Sequence, residues 1–221
     1  MKLIITLFRF ILAFVLMALF FFIPAGSWKW MEAWTLMIIF IIYAIVLLVY
    51  LGKNDPQLIE KRSDMKMPKR GWDRLFIISL YLFFAFIIII PGLDYRFGWS
   101  NVPLLLKVVS FVILTLALIG VGFVMAANSW LSRNVEIQKK QKVVSTGPYA
   151  IVRHPMYALF FWFDLAFPLA LGSWWALIPG ILVNIAIVIR TKLEDETLQK
   201  ELKGYKEYIR KTRYRLFPGV W

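Results

Sequence analysis

Six apolar runs, several of them close to the thickness of a bilayer, constrain this chain more than any other feature. They cover residues 3–23, 34–51, 75–90, 104–127, 157–171 and 173–189. About 20 apolar residues cross the hydrocarbon as a helix, and backbone in lipid must satisfy its own N–H and C=O groups. The pattern predicts an all-α integral membrane protein with five to six crossings. The run at 157–171 is short for a full span and is followed at once by 173–189 across Gly172-Ser173, so these two read as a tight helical hairpin. Of the 221 residues, 61% are hydrophobic and 17% aromatic; soluble domains are about half apolar. The first run, with Lys2 and Arg9 near its start and Pro24-Ala25-Gly26 after it, also admits a reading as a cleaved leader.

Charge sets the expected topology. The chain carries 26 Lys and Arg against 13 Asp and Glu, for a net charge of +13. The bases gather in residues 52–74, 128–156 and 190–221, beside the ends of apolar runs, whereas the segments between the other ends hold few charges. The positive-inside rule places the basic segments and both termini on the cytoplasmic side, where anionic lipid headgroups are expected partners. Nothing in the chain resembles a nucleic-acid-binding motif. With no cysteine and one histidine, disulfides, thiolate chemistry and multi-histidine metal sites are excluded. Asn54-Asp55-Pro56 reads as a helix start, and the following LIEKR as a short amphipathic helix along the interface. Gly120-Val121-Gly122 lies inside an apolar helix and reads as close helix packing. Pro91-Gly92 is expected to end the third span, and Gly204 to weaken a helix through Leu193, Leu198, Leu202, Tyr205 and Tyr208.

The segment TGPYAIVRHPMY, residues 146–157, is unlike its apolar surroundings. It holds the lone histidine, His154, next to Arg153 and between Tyr149 and Tyr157. Gly147-Pro148 predicts a turn. Pro155 suits the first turn of a helix and pushes His154 out of the helical region. Arg153 and His154 then stand at a helix N-terminus, which favours anionic groups. A plain interfacial loop, with Arg153 on lipid phosphate and the tyrosines in an aromatic belt, is the competing reading. Across the hairpin, Arg190 and Glu194 are four residues apart on one helix face. Both ends of the hairpin therefore meet at one membrane face, and polar groups at such a mouth are expensive unless used.

Taken together, VVSTGPYAIVRHPMY, the hairpin, R-x-x-x-ED-x-x-L-x-x-EL-x-GY-x-x-Y and RYRLFPGVW resemble the isoprenylcysteine carboxyl methyltransferase family, over residues 128–221. The first 127 residues, with four spans, match only as generic membrane helices. The resemblance implies a methyltransferase that uses S-adenosylmethionine, acts at the cytoplasmic membrane face on a lipophilic acceptor, and builds its cofactor pocket from residues 128–221. It implies cofactor binding by Gln138, Tyr149, Arg153, His154, Tyr157, Glu194, Tyr205 and Tyr208, with Arg190 and Glu194 facing the reaction; no metal is implied. Many relatives have glycine and histidine near Lys140-Gln141-Lys142 and glycine at Met156, and this chain departs from them there. On chemical grounds Arg153 suits the cofactor's carboxylate and Glu194 its ammonium or hydroxyls. The aromatics suit adenine and the sulfonium. A carboxylate acceptor needs no general base, whereas an amine would, with His154 the candidate. Two rival functions remain at this level: an NADPH-dependent membrane reductase similar to the sterol reductases, and a non-catalytic lipid- or partner-binding protein.

Overall fold

The computed structural model describes residues 2–63 and 66–221 of the chain, with side chains for all of these except residues 2–10 and Ser63. The side chains of Lys2 and Arg9, and Asp64 in the first basic segment, thus lie outside the described residues. The described residues form helices and no strands. In order they are α1 (Lys2–Ala25), α2 (Met31–Asn54), α3 (Pro56–Ser63), α4 (Gly71–Phe97), α5 (Leu104–Ala127), α6 (Pro148–Ile151), α7 (Pro155–Ala170), α8 (Leu177–Glu201) and α9 (Tyr205–Lys211).

Three of these, α2, α4 and α5, are long and apolar enough to cross a membrane. A helix the length of α5 spans about 36 Å at 1.5 Å per residue, more than the roughly 30 Å of hydrocarbon. Residues 11–25 of α1 and all of α7 are shorter apolar helices. Ile38, Ile42 and Ile45 on α2, Leu75, Ile78 and Leu82 on α4, and Leu116, Ile119 and Phe123 on α5 are exposed. Water would penalise such surface at about 25 cal/mol per Å²; hydrocarbon does not, so the protein is a membrane protein.

The bundle packs α5 along α7, α1 along α4, and α4 along α8, with α7 and α8 antiparallel partners. Phe21, Trp30, Leu36, Phe163, Phe167 and Ile187 form its central core. A second core, nearer the polar segments, joins Leu51, Leu58, Val124, Tyr149, Met156, Tyr205 and Tyr208. At the opposite end, buried Asp94 accepts hydrogen bonds from the Ser100 amide at 2.7 Å, from the Ser100 hydroxyl at 2.6 Å and from Ser173. Those bonds tie the end of α4 to the α7–α8 turn.

Several expected boundaries move. The third span does not stop at Pro91-Gly92: α4 runs on to Phe97 and ends at Gly98, whose φ is 66°. Proline removes only one helix hydrogen bond, and Gly92 serves packing, since a Cβ there would lie 2.9 Å from the Phe21 carbonyl oxygen of α1. The last span and the tail are one helix as far as Glu201, so Arg190 and Glu194 stand on a rigid rod continuous with its apolar part, residues 177–189. Gly204, with φ 88°, divides α8 from α9 outright. The LIEKR segment is helical as expected, but Leu58 is fully buried in the bundle. Gly120 meets Leu159 of α7, where a Cβ would lie 2.8 Å from a methyl carbon.

The hairpin itself depends on Gly180. A Cβ at that position would lie 2.7 Å from the backbone oxygen of Asp164, and a backbone atom cannot step aside as a side-chain tip can. Gly180→Ala is expected to destabilise the bundle by about 1–3 kcal/mol through overpacking, read as a lowered thermal midpoint in detergent. An unchanged midpoint would show that α7 and α8 can separate without cost.

Candidate active site

The 146–157 segment folds much as its prolines dictate. Gly147 takes φ 58°, α6 makes one turn, Val152 is extended, and Pro155 opens α7 with His154 at φ −125°. What holds the segment lies far along the chain. The amides of Arg153 and His154 donate to the carbonyls of Tyr214 and Arg215, both at 2.9 Å. The C-terminal residues therefore bind these two amides in place of an anion.

Asp195 is the centre of this arrangement. It is fully buried. Its two carboxylate oxygens accept from Arg153 at 2.9 and 3.2 Å, Tyr205 at 2.9 Å, Gln199 at 3.0 Å and Arg215 at 2.9 Å. His154 Nε2 lies 3.4 Å from Asp195 Oδ1, a contact that selects the tautomer with the proton on Nε2. Burial opposes the negative charge, but hydrogen bonds from His154, Arg153 and Arg215 outweigh it and hold the carboxyl well below the usual range. Arg153 has its remaining Nη1 donors on the carbonyls of Thr212 and Arg213, at 3.0 and 2.6 Å. Its guanidinium is thereby committed to the protein's own groups.

At the neighbouring residue of α8 the chemistry changes. Glu194 accepts from the Tyr157 hydroxyl at 2.7 Å, lies 3.8 Å from Arg190 Nε and 4.0 Å from His154 Nδ1, and keeps a side-chain exposure of 22%. The His154 ring stacks on Tyr157 at 5.8 Å between centroids. Arg190 is anchored from the other side: Nη2 donates to the Arg133 carbonyl at 2.7 Å and lies 3.0 Å from Asp73, while the guanidinium covers Phe76 at 4.3 Å. Its Nε is buried without a hydrogen-bond partner. Asp73 also accepts from the Val135 amide at 2.8 Å, which pins the 128–146 loop over the site.

These groups face a cavity of about 480 Å³. Its polar end is lined by Tyr149, Arg153, His154, Tyr157, Arg190, Glu194, Tyr205 and Tyr208, all of them site residues expected from the sequence. Gln138 is not among the lining residues; its side-chain amide donates to the Trp130 carbonyl at 2.6 Å, within the loop, and Gln141 lines the cavity instead. The Tyr208 hydroxyl donates to the Tyr149 carbonyl at 2.6 Å, and burial pushes that phenol up to about 12. Burial first, then the charge of Asp195, pushes the Tyr205 phenol well above its usual range, so both tyrosines act as fixed donors. Towards the membrane the cavity continues as an apolar arm along Phe76, Leu80 and Phe84 of α4 and Phe160 and Phe163 of α7. Tyr81 and Phe84 line the arm and are also exposed on the lipid-facing side of the bundle.

Residues 107–200 match the isoprenylcysteine carboxyl methyltransferase (ICMT) family model. The match begins within α5, earlier than the motifs alone indicated, and spans Arg153, His154, Arg190, Glu194 and Asp195. It stops short of α9, so Tyr205 and Tyr208 join this ICMT-like region only through the fold. The cobalt-zinc-cadmium resistance protein CzcN of Cupriavidus metallidurans is 31% identical over 114 residues, covering 47% of this chain. The chain spans about half of that relative's length, 49%.

Three further groups belong to the site without a sequence motif that marks them. The motif gives Asp195 no role beside Glu194, yet Val183, Ile187, Thr191 and Asp195 recur every four residues and are all buried. That stripe was a usable signal. Asp73 carried none, because its partners lie across the chain. Arg62, the last residue of the LIEKR segment, lines the cavity.

Proposed function

We propose that this protein is a membrane methyltransferase that takes its methyl group from S-adenosylmethionine and passes it to a lipophilic acceptor. One observation carries the reading: a single cavity joins the polar cluster around Glu194 to an apolar arm that reaches the lipid-facing side of α4. Its volume lies in the range of small-molecule sites, and its two ends differ in polarity as a polar cofactor and an apolar acceptor do.

The residues present fit the cofactor. Glu194 is a partly exposed carboxylate suited to an ammonium or a ribose diol. Tyr149, Tyr157 and His154 offer aromatic faces to adenine and the sulfonium. When bound, S-adenosylmethionine supplies an electrophilic methyl carbon that is displaced in line. The chain's own contribution is to position and to exclude water. Tyr157 and Arg190 fix Glu194 from two sides. The Asp195 cluster fixes Arg153, His154 and the C-terminal residues over the polar end. The Nε–H of Arg190, which makes no hydrogen bond, is a donor suited to an acceptor oxyanion. Arg153, expected from the sequence to meet the cofactor's carboxylate, is assigned here to holding the fold. The acceptor is taken to enter along the Tyr81 and Phe84 side, from the bilayer. The charge of the basic segments supports a site and both termini at the cytoplasmic face of a multi-pass cell-membrane protein, next to anionic lipid.

Calorimetric titration of detergent-purified protein with S-adenosylhomocysteine, in parallel with NADPH, tests the reading. Micromolar binding of S-adenosylhomocysteine is expected. Binding of NADPH alone would replace the methyltransferase by a reductase. Binding of neither by folded protein would leave a non-catalytic membrane protein.

A further inference from the structure

The arginines around the cavity are, with one exception, engaged by the protein's own oxygens. Arg153 and Arg215 hold Asp195, Arg190 reaches Asp73 and Glu194, and Arg133 contacts Tyr81. Arg62 also lines the cavity, and among the described residues it has no ion pair and no hydrogen bond to a carboxylate. Its position follows from the sequence. It stands four residues after Leu58 on α3, hence on the same helix face, and Leu58 is fully buried in the second core. The face that anchors α3 therefore turns Arg62 inward. Burial, foremost, and the neighbouring positive charge of Arg190 act against the charge on Arg62, while Tyr157, Tyr43 and Tyr149 lie within its field. A guanidinium in low-dielectric surroundings gains most from a bidentate oxyanion. A second donor in the same cavity, Arg190 Nε, is buried and makes no hydrogen bond, with Glu194 3.8 Å away.

We infer that Arg62 is a carboxylate-binding residue of the cavity, completing a site whose other half is Arg190 Nε. For the identity of the carboxylate this rests on the methyl-transfer reading: a lipophilic carboxylic acid as acceptor, or the amino-acid end of the cofactor. Either way the first basic segment, outside the region matched by the family model, contributes directly to ligand binding. It also supplies the cation that Arg153 does not.

Calorimetric titration of wild type, Arg62→Gln, Arg62→Lys and the exposed control Lys69→Gln with S-adenosylhomocysteine and, separately, with oleate tests this. Arg62→Gln is expected to weaken one of the two by about tenfold to a hundredfold, Arg62→Lys less, and Lys69→Gln neither. Loss confined to S-adenosylhomocysteine assigns the cofactor's carboxylate; loss confined to oleate assigns the acceptor's. If Arg62→Gln binds both ligands like wild type, the inference is wrong and the methyltransferase reading stands. If wild type fails to bind S-adenosylhomocysteine yet binds oleate through Arg62, the carboxylate site stands and that reading fails. Parallel loss of both ligands with a lowered thermal midpoint marks a structural arginine and overturns the inference.

Discussion

Asp195→Ala is expected to lower the thermal midpoint of the detergent-solubilised protein by roughly 6–20 °C. The carboxylate is fully buried and is the shared acceptor for Arg153, Gln199, Tyr205 and Arg215. Removing it strands the Arg153 guanidinium, which is itself buried. Breaking a buried pair from one side costs about 3–5 kcal/mol, and each kcal/mol moves the midpoint of a chain of this size by roughly 2–4 °C. Tryptophan fluorescence during heating reads the change. A midpoint equal to that of wild type would mean that the C-terminal residues are held by their backbone bonds alone. The same residue sets an acid limit. Its folded-state pKa lies below the unfolded value of about 3.9. Its stabilisation is therefore complete above that value and is lost as the pH falls through it towards the folded-state value. Asp195→Asn is expected to flatten the decline of the midpoint below about pH 4 without altering its trend near neutrality.

Glu194→Gln is expected to separate binding from folding. The side chain is the partly exposed carboxylate at the polar end of the cavity, and glutamine preserves its shape and an acceptor for the Tyr157 hydroxyl. What disappears is charge beside Arg190 and beside the ligand. A hydrogen bond to a charged group contributes about 1.5–3 kcal/mol, so on the proposed methyltransferase reading affinity for S-adenosylhomocysteine should fall about 10- to 150-fold. Methyl transfer, measured as kcat/KM, should fall at least as far. The thermal midpoint should stay close to that of wild type, in contrast with Asp195→Ala. Undiminished binding would remove Glu194 from the cofactor site and transfer its role to the Arg190 anchor alone.

These two adjacent acids show how differently neighbouring residues can be legible. Glu194 was visible because its partner Arg190 is four residues away on the same helix. The role of Asp195 was hidden because most of its partners come from the segment just before α7, from α9 and from the C-terminal residues, with Arg153 42 positions distant. Gln138 illustrates the reverse case. Its place beside a motif suggested a ligand contact, but a loop has no periodicity to aim a side chain, and local bonding to Trp130 decides where it goes.

Sequence by itself determined the class of structure, the start of α7 at Pro155, the turn at Gly147, the hairpin and the pairing of Arg190 with Glu194 on one helix face. Each of these follows from short-range physics: apolar run length against bilayer thickness, the fixed φ of proline, the positive φ open to glycine, and the four-residue repeat of a helix. Tertiary structure alone decided which acid is buried and which faces the cavity, that Arg153 is spent on Asp195, and that Arg62 of α3 reaches the same space as Arg190 of α8. Those outcomes depend on how separate helices are rotated and how closely they approach, and contacts such as Gly180 against Asp164 fix that only when the whole bundle is assembled.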